Sequence, residues 1–194
     1  MIRAIFTVPS LVLASVVVLA PAAVSSCQSP PVSAPDQKVL SDFSKKAKDY
    51  IGKEQMLTES KMKPTADVAK LQQQRKQLRD AVQQSRANAR QGDFFTAEAA
   101  EAFRKDLLNI LNGPEGKKNK VSLNHAEPGA SAEFRVNGEF PNQNGQPIQS
   151  VPPSVLKGLP ALPKGLEYCI AGKTLALRDS AANMVVDYLP NALP

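Results

Sequence analysis

Apolar residues recur at different periods along the chain, and each period predicts a different element. From Ile5 to Leu19 the run is predominantly apolar with no polar face. Residues 36–57 place Val39, Leu40, Phe43, Ala47, Tyr50, Ile51 and Leu57 at helical spacing, with lysines on the opposite side. That is an amphipathic helix, weakened in its middle by Gly52 at a cost of about 1 kcal/mol relative to Ala. The string TESKMKP, closed by Pro64, reads as the break after it. A second helix is expected from Thr65 as N-cap to Gly92 just past its end, about 40 Å of helix at ~1.5 Å per residue. Its stripe is Val68, Leu71, Arg75, Leu78, Val82, Ser85 and Ala89. Polar members make that a thin seam against one neighbour and not the clean pattern of a coiled coil. A third helix follows Thr96 as N-cap, with Glu98 early and Gly113-Pro114 as the stop. Its face of Ala99, Ala100, Phe103, Leu107, Leu108, Ile110 and Leu111 is the widest of the three. Phe94, just before the cap, is placed for a hydrophobic staple.

Beyond a basic loop the period falls to two. In AEFRVNGEFP, Phe134, Val136 and Phe140 alternate with Glu133, Arg135, Asn137 and Glu139, which predicts a strand with one wet face. A Pro- and Gly-punctuated connector spans 142–165, with one helical turn expected at 154–157. It is long for a compact domain, so it reads as a binding loop or as a wrap along a sheet edge. Gly172-Lys173 suits a two-residue type II′ hairpin turn. That turn sets Ala171 opposite Thr174, Ile170 opposite Leu175, Cys169 opposite Ala176, Tyr168 opposite Leu177 and Glu167 opposite Arg178. Tyr168, Ile170, Leu175 and Leu177 then share one face, and a one-residue slip would scatter them. Arg178 gains a cross-strand partner in Glu167, worth about 0.2–1 kcal/mol. Asp179 and Asn183 flank a turn and can bond their own backbone. NMVVDYLP returns as a further strand, with Met184, Val186 and Tyr188 on one side and Val185, Asp187 and Leu189 on the other.

These elements predict an α+β fold: an N-terminal signal, about three helices, then a small antiparallel sheet of about four strands covered by a helix. The divisions are a signal at 1–26, a Pro/Ser-rich tether at 27–37, a helical region at 38–112, a basic loop at 113–131, and a sheet region at 132–194 packed on the helices. Trp is absent and aromatics are few, so the core is expected to be mostly aliphatic.

The N-terminal layout is that of an export signal: one early cation, Arg3, an apolar middle, then small residues leading to Cys27. The string VSSC before the tether is similar to a lipobox, which makes Cys27 a lipidation candidate and a possible membrane tether. A cleaved signal peptide, a lipoprotein signal and an uncleaved anchor remain open as alternatives, since the run is also just long enough to cross a bilayer. Each puts the rest of the chain outside the cytoplasm, in the periplasm or anchored in the cell envelope.

Residues 36–120 hold 18 Lys plus Arg against 12 Asp plus Glu, whereas residues 121–194 hold 5 against 6. The excess therefore belongs to the helical half. Lys45, Lys46, Lys48, Arg75, Arg79, Arg86 and Arg90 could form a basic face for a polyanion or anionic lipid, or simply a solvated helix surface. The second helix carries no aromatics among its cations, so no nucleic-acid partner is expected.

The chemistry-bearing residues are sparse. There are two cysteines and one histidine. Cys169 reads as a small buried hydrophobe, with a bridge to Cys27 as the alternative. His125 sits in a polar loop away from any nucleophile motif. Metal-ligand spacing, a P-loop, a dinucleotide fingerprint and a nucleophile elbow are all missing, so neither metal nor cofactor is expected. Arg178, Asp179, Asn183 and Asp187 either trim the sheet or form a polar pocket near one end. In the pocket reading Asp179, Asp187 and Arg178 would serve a hydrolase, in a cleft against the long connector. The expectation from the whole chain is a non-catalytic, exported envelope protein that acts by binding, with ligand and partner unassigned.

The strings ARQGDFFTAEAAEAFRKDL and LEYCIAGKTLALRDSAANMVVDYLPNALP resemble a group of uncharacterised exported proteins of Gram-negative bacteria. The resemblance covers most of the chain after the signal and implies export but no activity. Cys169 stands where such sequences would carry a larger or polar residue, which argues against a thiol mechanism.

Overall fold

The computed structural model describes residues 34–124, 133–141 and 151–194. The signal, Cys27, most of the tether and His125 lie outside them. Within them the order is α1 (Ala34–Lys61), α2 (Val68–Ser85), α3 (Ala97–Asn112), α4 (Gly116–Asn124), α5 (Pro153–Leu156), β1 (Leu166–Ala171), β2 (Thr174–Asp179) and β3 (Met184–Leu189). The fold is α+β.

The helices depart from expectation at their ends. Residues 34–37, assigned to the tether, are the first turn of α1, where Asp36 favours the helix N-terminus. At Gly52 a side chain would meet nothing within 4 Å, and α1 runs through it to Lys61. The N-cap of α2 is Asp67 rather than Thr65. Its carboxylate accepts from the amides of Ala69 and Lys70 at 2.9 and 3.2 Å, while the Thr65 hydroxyl accepts from the Asp67 amide. This helix stops at Ser85, about 27 Å long, and the chain turns at 86–95 into α3, a turn whose amides Asp187 of the sheet accepts from. Gly92 takes a φ of 91° within that turn, a conformation glycine adopts without strain. α3 has the expected cap, with the Thr96 hydroxyl accepting from the Ala99 amide. The basic loop contains a helix, α4, whose Asn119 is buried and accepts from the Ser154 hydroxyl at the start of α5.

The sheet has the order β1-β2-β3, all antiparallel. The hairpin adopts the predicted register throughout, from Ala171↔Thr174 to Glu167↔Arg178. Gly172 sits at φ 56° and Lys173 is not at positive φ, as a type II′ turn requires. The return strand differs: the register shifts at Leu177/Arg178, so that Leu177 faces Asp187 while Arg178 faces Val185. That bulge inverts the expected alternation after Val186. Asp187 and Leu189 join the face of Leu175 and Leu177, and Tyr188 joins Val185 on the other.

The predicted strand at 133–140 is a turn instead. Asn137 has φ 63°, and the Gly138 amide bonds back to the Arg135 carbonyl at 2.8 Å. Only an isolated bridge, Glu139↔Met184, remains of the fourth strand. The turn still covers the β3 edge, through Asn137 N–H to Val185 O and Val185 N–H to Gly138 O, both 2.9 Å.

Both sheet faces are covered. On one, α1 and α3 bring Phe43 and Phe103 against Tyr168, with Phe43 and Phe103 ring centroids 4.8 Å apart. Phe94 and Phe95 complete this cluster around Phe43, so the aromatics on this side gather at the centre of an otherwise aliphatic core. On the other face Phe134 and Phe140 pack over Cys169, Ala176 and Val185.

Candidate functional site

The bulge in β3 turns Asp187 toward the helices, where it is fully buried. Its carboxylate accepts from the amides of Gly92, Phe94 and Phe95 at 3.1, 2.8 and 2.9 Å. Asp187 therefore holds the loop that leads into α3. Asp179, also fully buried, accepts from the Tyr50 hydroxyl at 2.6 Å and from the Ala182 amide at 2.9 Å. The first bond ties α1 to the sheet and the second closes the β2–β3 turn, as its turn chemistry predicts. Burial, then the Asp179 charge, hold the Tyr50 hydroxyl well above the ordinary phenol range.

Arg86 lies over the same acids. Its guanidinium carbon sits 5.2 Å from the Tyr50 ring centre and 5.7 Å from that of Phe94, within cation–π range. One nitrogen donates to the Val186 carbonyl at 3.1 Å, at the bulge, and Nη1 is buried without a partner. Burial pulls its pKa down, while Tyr50, Asp93, Asp187 and Asp179 pull it back up. The Arg86 carbonyl, at the open end of α2, accepts from Asn137 Nδ2 at 2.9 Å.

Arg178 points to the opposite face from both acids. It reaches Glu167 at 3.4 Å and Asn183 at 2.7 Å, with its guanidinium 5.1 Å from the Phe140 ring centre and Nε buried without a partner. The four polar residues predicted to share a pocket are thus divided by the sheet: Asp179 and Asp187 on the helix side, Arg178 with Asn183 on the other. The basic face is divided too. Arg79 turns inward to Glu139 at 3.1 Å, Arg86 enters the interior, and Lys46 bonds the Asp93 carbonyl at 3.0 Å. Lys45, Lys48, Arg75 and Arg90 remain exposed. Among the described residues no cluster of His, Cys, Asp or Glu could hold a metal ion, and no helix is long and apolar enough to cross a membrane.

Two cavities adjoin this framework. A cleft of about 230 Å³ between α1 and α2 is lined by Lys46, Lys53, Glu54 and Arg86. Glu54 is buried and accepts from the Thr58 hydroxyl. Burial raises its pKa, the Thr58 bond lowers it, and Asp179 raises it further. Glu54 therefore binds its proton more tightly in the folded chain. Its contribution to stability is full below the ordinary value of 4.5 and is lost as pH rises through the raised folded value. Glu54→Gln is expected to flatten that loss, so urea midpoints of the two proteins should converge at low pH and favour the variant at neutral pH.

The larger cavity, about 510 Å³, runs beside β1 between the strand and residues 151–162. Val151, Leu156, Pro160, Leu162 and Leu166 give it apolar walls. Its polar side is Arg178 and Glu167, next to Cys169. Cys169 is a free thiol that burial pushes up to about 11, so it is a neutral wall group at physiological pH. The size and mostly apolar lining match small-molecule sites in general. Sequence reading placed Arg178 in a cleft against the connector together with Asp179 and Asp187, and of the three only Arg178 lies there. It missed the connector's apolar lining, whose residues follow no period. It also missed Tyr50 and Arg86 as interior partners. A signal existed for Arg86, which follows Leu78 and Val82 at steps of four on one face of α2.

The fold and site define a small α+β domain with a buried polar network on the helix side of its sheet and an apolar groove along one strand. Comparison with protein-family models, with curated proteins and with solved structures gives no match.

Proposed function

We propose that this is an exported, non-catalytic protein of the bacterial cell envelope that acts by binding. In this reading residues 1–26 are its signal, and it is either held at the membrane through a lipid on Cys27 or free in the periplasm. It belongs with the exported proteins its sequence resembles. The observation that carries the binding half is where the polar residues go. Asp179 and Asp187, the acids a hydrolase would use, are occupied by Tyr50 and by backbone amides of the fold, while the larger of the two cavities described above is mostly apolar. Support for export comes from the order of cation, apolar run and small residues before Cys27. The test is expression in a Gram-negative host with labelled palmitate. The wild type is expected to leave the cytoplasm and take the label, and Cys27→Ala to lose the label. A wild-type chain exported without label would select the free periplasmic form. Retention in the cytoplasm at full length would overturn the reading.

A further inference from the structure

The groove beside β1 has a chemical asymmetry that narrows what it can hold. Its walls are aliphatic, with Leu156 still 42% exposed at the rim. Among the described residues its charged groups are Arg178 and Glu167. Arg178 is incompletely satisfied there: Nη2 has a good acceptor in Asn183 at 2.7 Å, Nη1 reaches Glu167 only at 3.4 Å, and Nε is buried without a partner. Glu167 is a loose occupant, its side chain 52% exposed. A planar carboxylate on a ligand could approach the guanidinium from the groove and take the place that Glu167 holds weakly, since guanidinium and carboxylate match in geometry. Resting on the binding role proposed above, we infer that the groove takes an apolar chain ending in a carboxylate, its tail between Leu156, Leu162 and Leu166 and its head at Arg178.

Two consequences carry opposite signs. Removing the cation weakens such a ligand, whereas removing Glu167, its competitor, strengthens it. A purely apolar ligand would be indifferent to both. The probe is dodecanoate, titrated calorimetrically below its micellar concentration into the full chain, with dodecanol and dodecyltrimethylammonium as controls. Dodecanoate is expected to bind one-to-one and roughly tenfold tighter than dodecanol, the scale of one charge-assisted hydrogen bond. Arg178→Gln should erase that preference and Glu167→Gln should enlarge it. Ala161, exposed on the groove wall, gives a variant that spares the core: Ala161→Trp should block the probes with the melting temperature unchanged. Dodecanol binding as tightly as dodecanoate would overturn the ligand class while leaving a binding role standing. Weaker dodecanoate binding in Glu167→Gln, or equally tight binding of the ammonium, would overturn the ligand class as well. No saturable binding of any probe, or binding that survives Ala161→Trp, would overturn the groove as the site. None of these results bears on export, which the Cys27 experiment tests separately.

Discussion

Asp187→Ala is expected to cost about 3–5 kcal/mol of stability, enough to unfold a marginal domain. The carboxylate accepts from three amides of one loop, those of Gly92, Phe94 and Phe95, and alanine leaves them without an acceptor. Each buried donor left unpaired costs about 1–3 kcal/mol, though neighbouring losses do not simply add. The variant also removes one of the negative charges facing Arg86. Asp187→Asn should cost about half as much, because its amide oxygen keeps one acceptor and its nitrogen cannot accept at all. The measurement is the urea midpoint with its slope, followed by circular dichroism. The loop from 86 to 95 sets the position of Phe94 and Phe95 around Phe43, so near-ultraviolet signal should fall with stability. A carboxylate kept for catalysis would behave oppositely, since its removal generally leaves stability unchanged or raised. An unaltered midpoint in Asp187→Ala would refute the capping role.

Local signals and tertiary demands explain which parts of this fold are legible in the sequence. The β1–β2 hairpin is legible because turn chemistry and facial pattern agree: Gly172 supplies the positive φ, and the register it dictates gathers Tyr168, Ile170, Leu175 and Leu177. β3 is legible as a strand but not in its facing. Met184 to Leu189 alternates well, yet the bulge at Leu177/Arg178 shifts the partner of Asp187. Nothing in the strand itself announces the bulge; its stabilisation comes from a loop far earlier in the chain, through amides that carry no side-chain signature. The fourth strand fails for a different reason. Asn137-Gly138 is a strong turn signal in the middle of an alternating string, and the turn chemistry of that dipeptide overrides the alternation around it. α4 is hidden by its lysines: GKKNKVSLN has no broad apolar face, so the helix depends on packing against α3 and on Asn119 meeting Ser154.

The candidate site divides in the same way. Glu167 and Arg178 are neighbours across a hairpin and follow from register alone. Val151, Leu156 and Leu162 reach them from a connector rich in proline and glycine, whose path is set by tertiary packing rather than by any period. Asp179 is legible as a turn former, and its Ala182 bond is local. Its bond to Tyr50 joins residues far apart in sequence, and the helical period of α1 presents Tyr50 as one apolar residue among several. The polar atom at the tip of a tyrosine is invisible to a pattern that scores the whole side chain as hydrophobic, and burial obliges that atom to find a partner.

Arg86 should be the most costly cation to replace, with Arg86→Leu expected to lose about 3–5 kcal/mol. The guanidinium lies against both the Tyr50 and Phe94 rings, which themselves meet edge to face, and donates to the Val186 carbonyl. Leucine can fill much of that space but leaves the carbonyl without this donor and removes the cation that interacts with the two buried acids. Arg86→Lys is expected to recover little, because an ammonium offers no plane to stack and cannot fork toward the bulge. Tyr50→Phe, which deletes only the hydroxyl bonded to Asp179, should cost about 1.5–3 kcal/mol. If Arg86, Tyr50 and Asp179 act as one network, the double variant will lose less than the sum of the singles, with a coupling of about 0.5–3 kcal/mol in a double-mutant cycle. Additive losses would mean that Arg86 acts through its own stack and its Val186 bond alone. The unpaired Nη1 sharpens the comparison: an arginine whose fork were fully bonded would tolerate lysine worse still, so a large rescue by lysine would show that charge, and not planar geometry, is what the interior requires at this position.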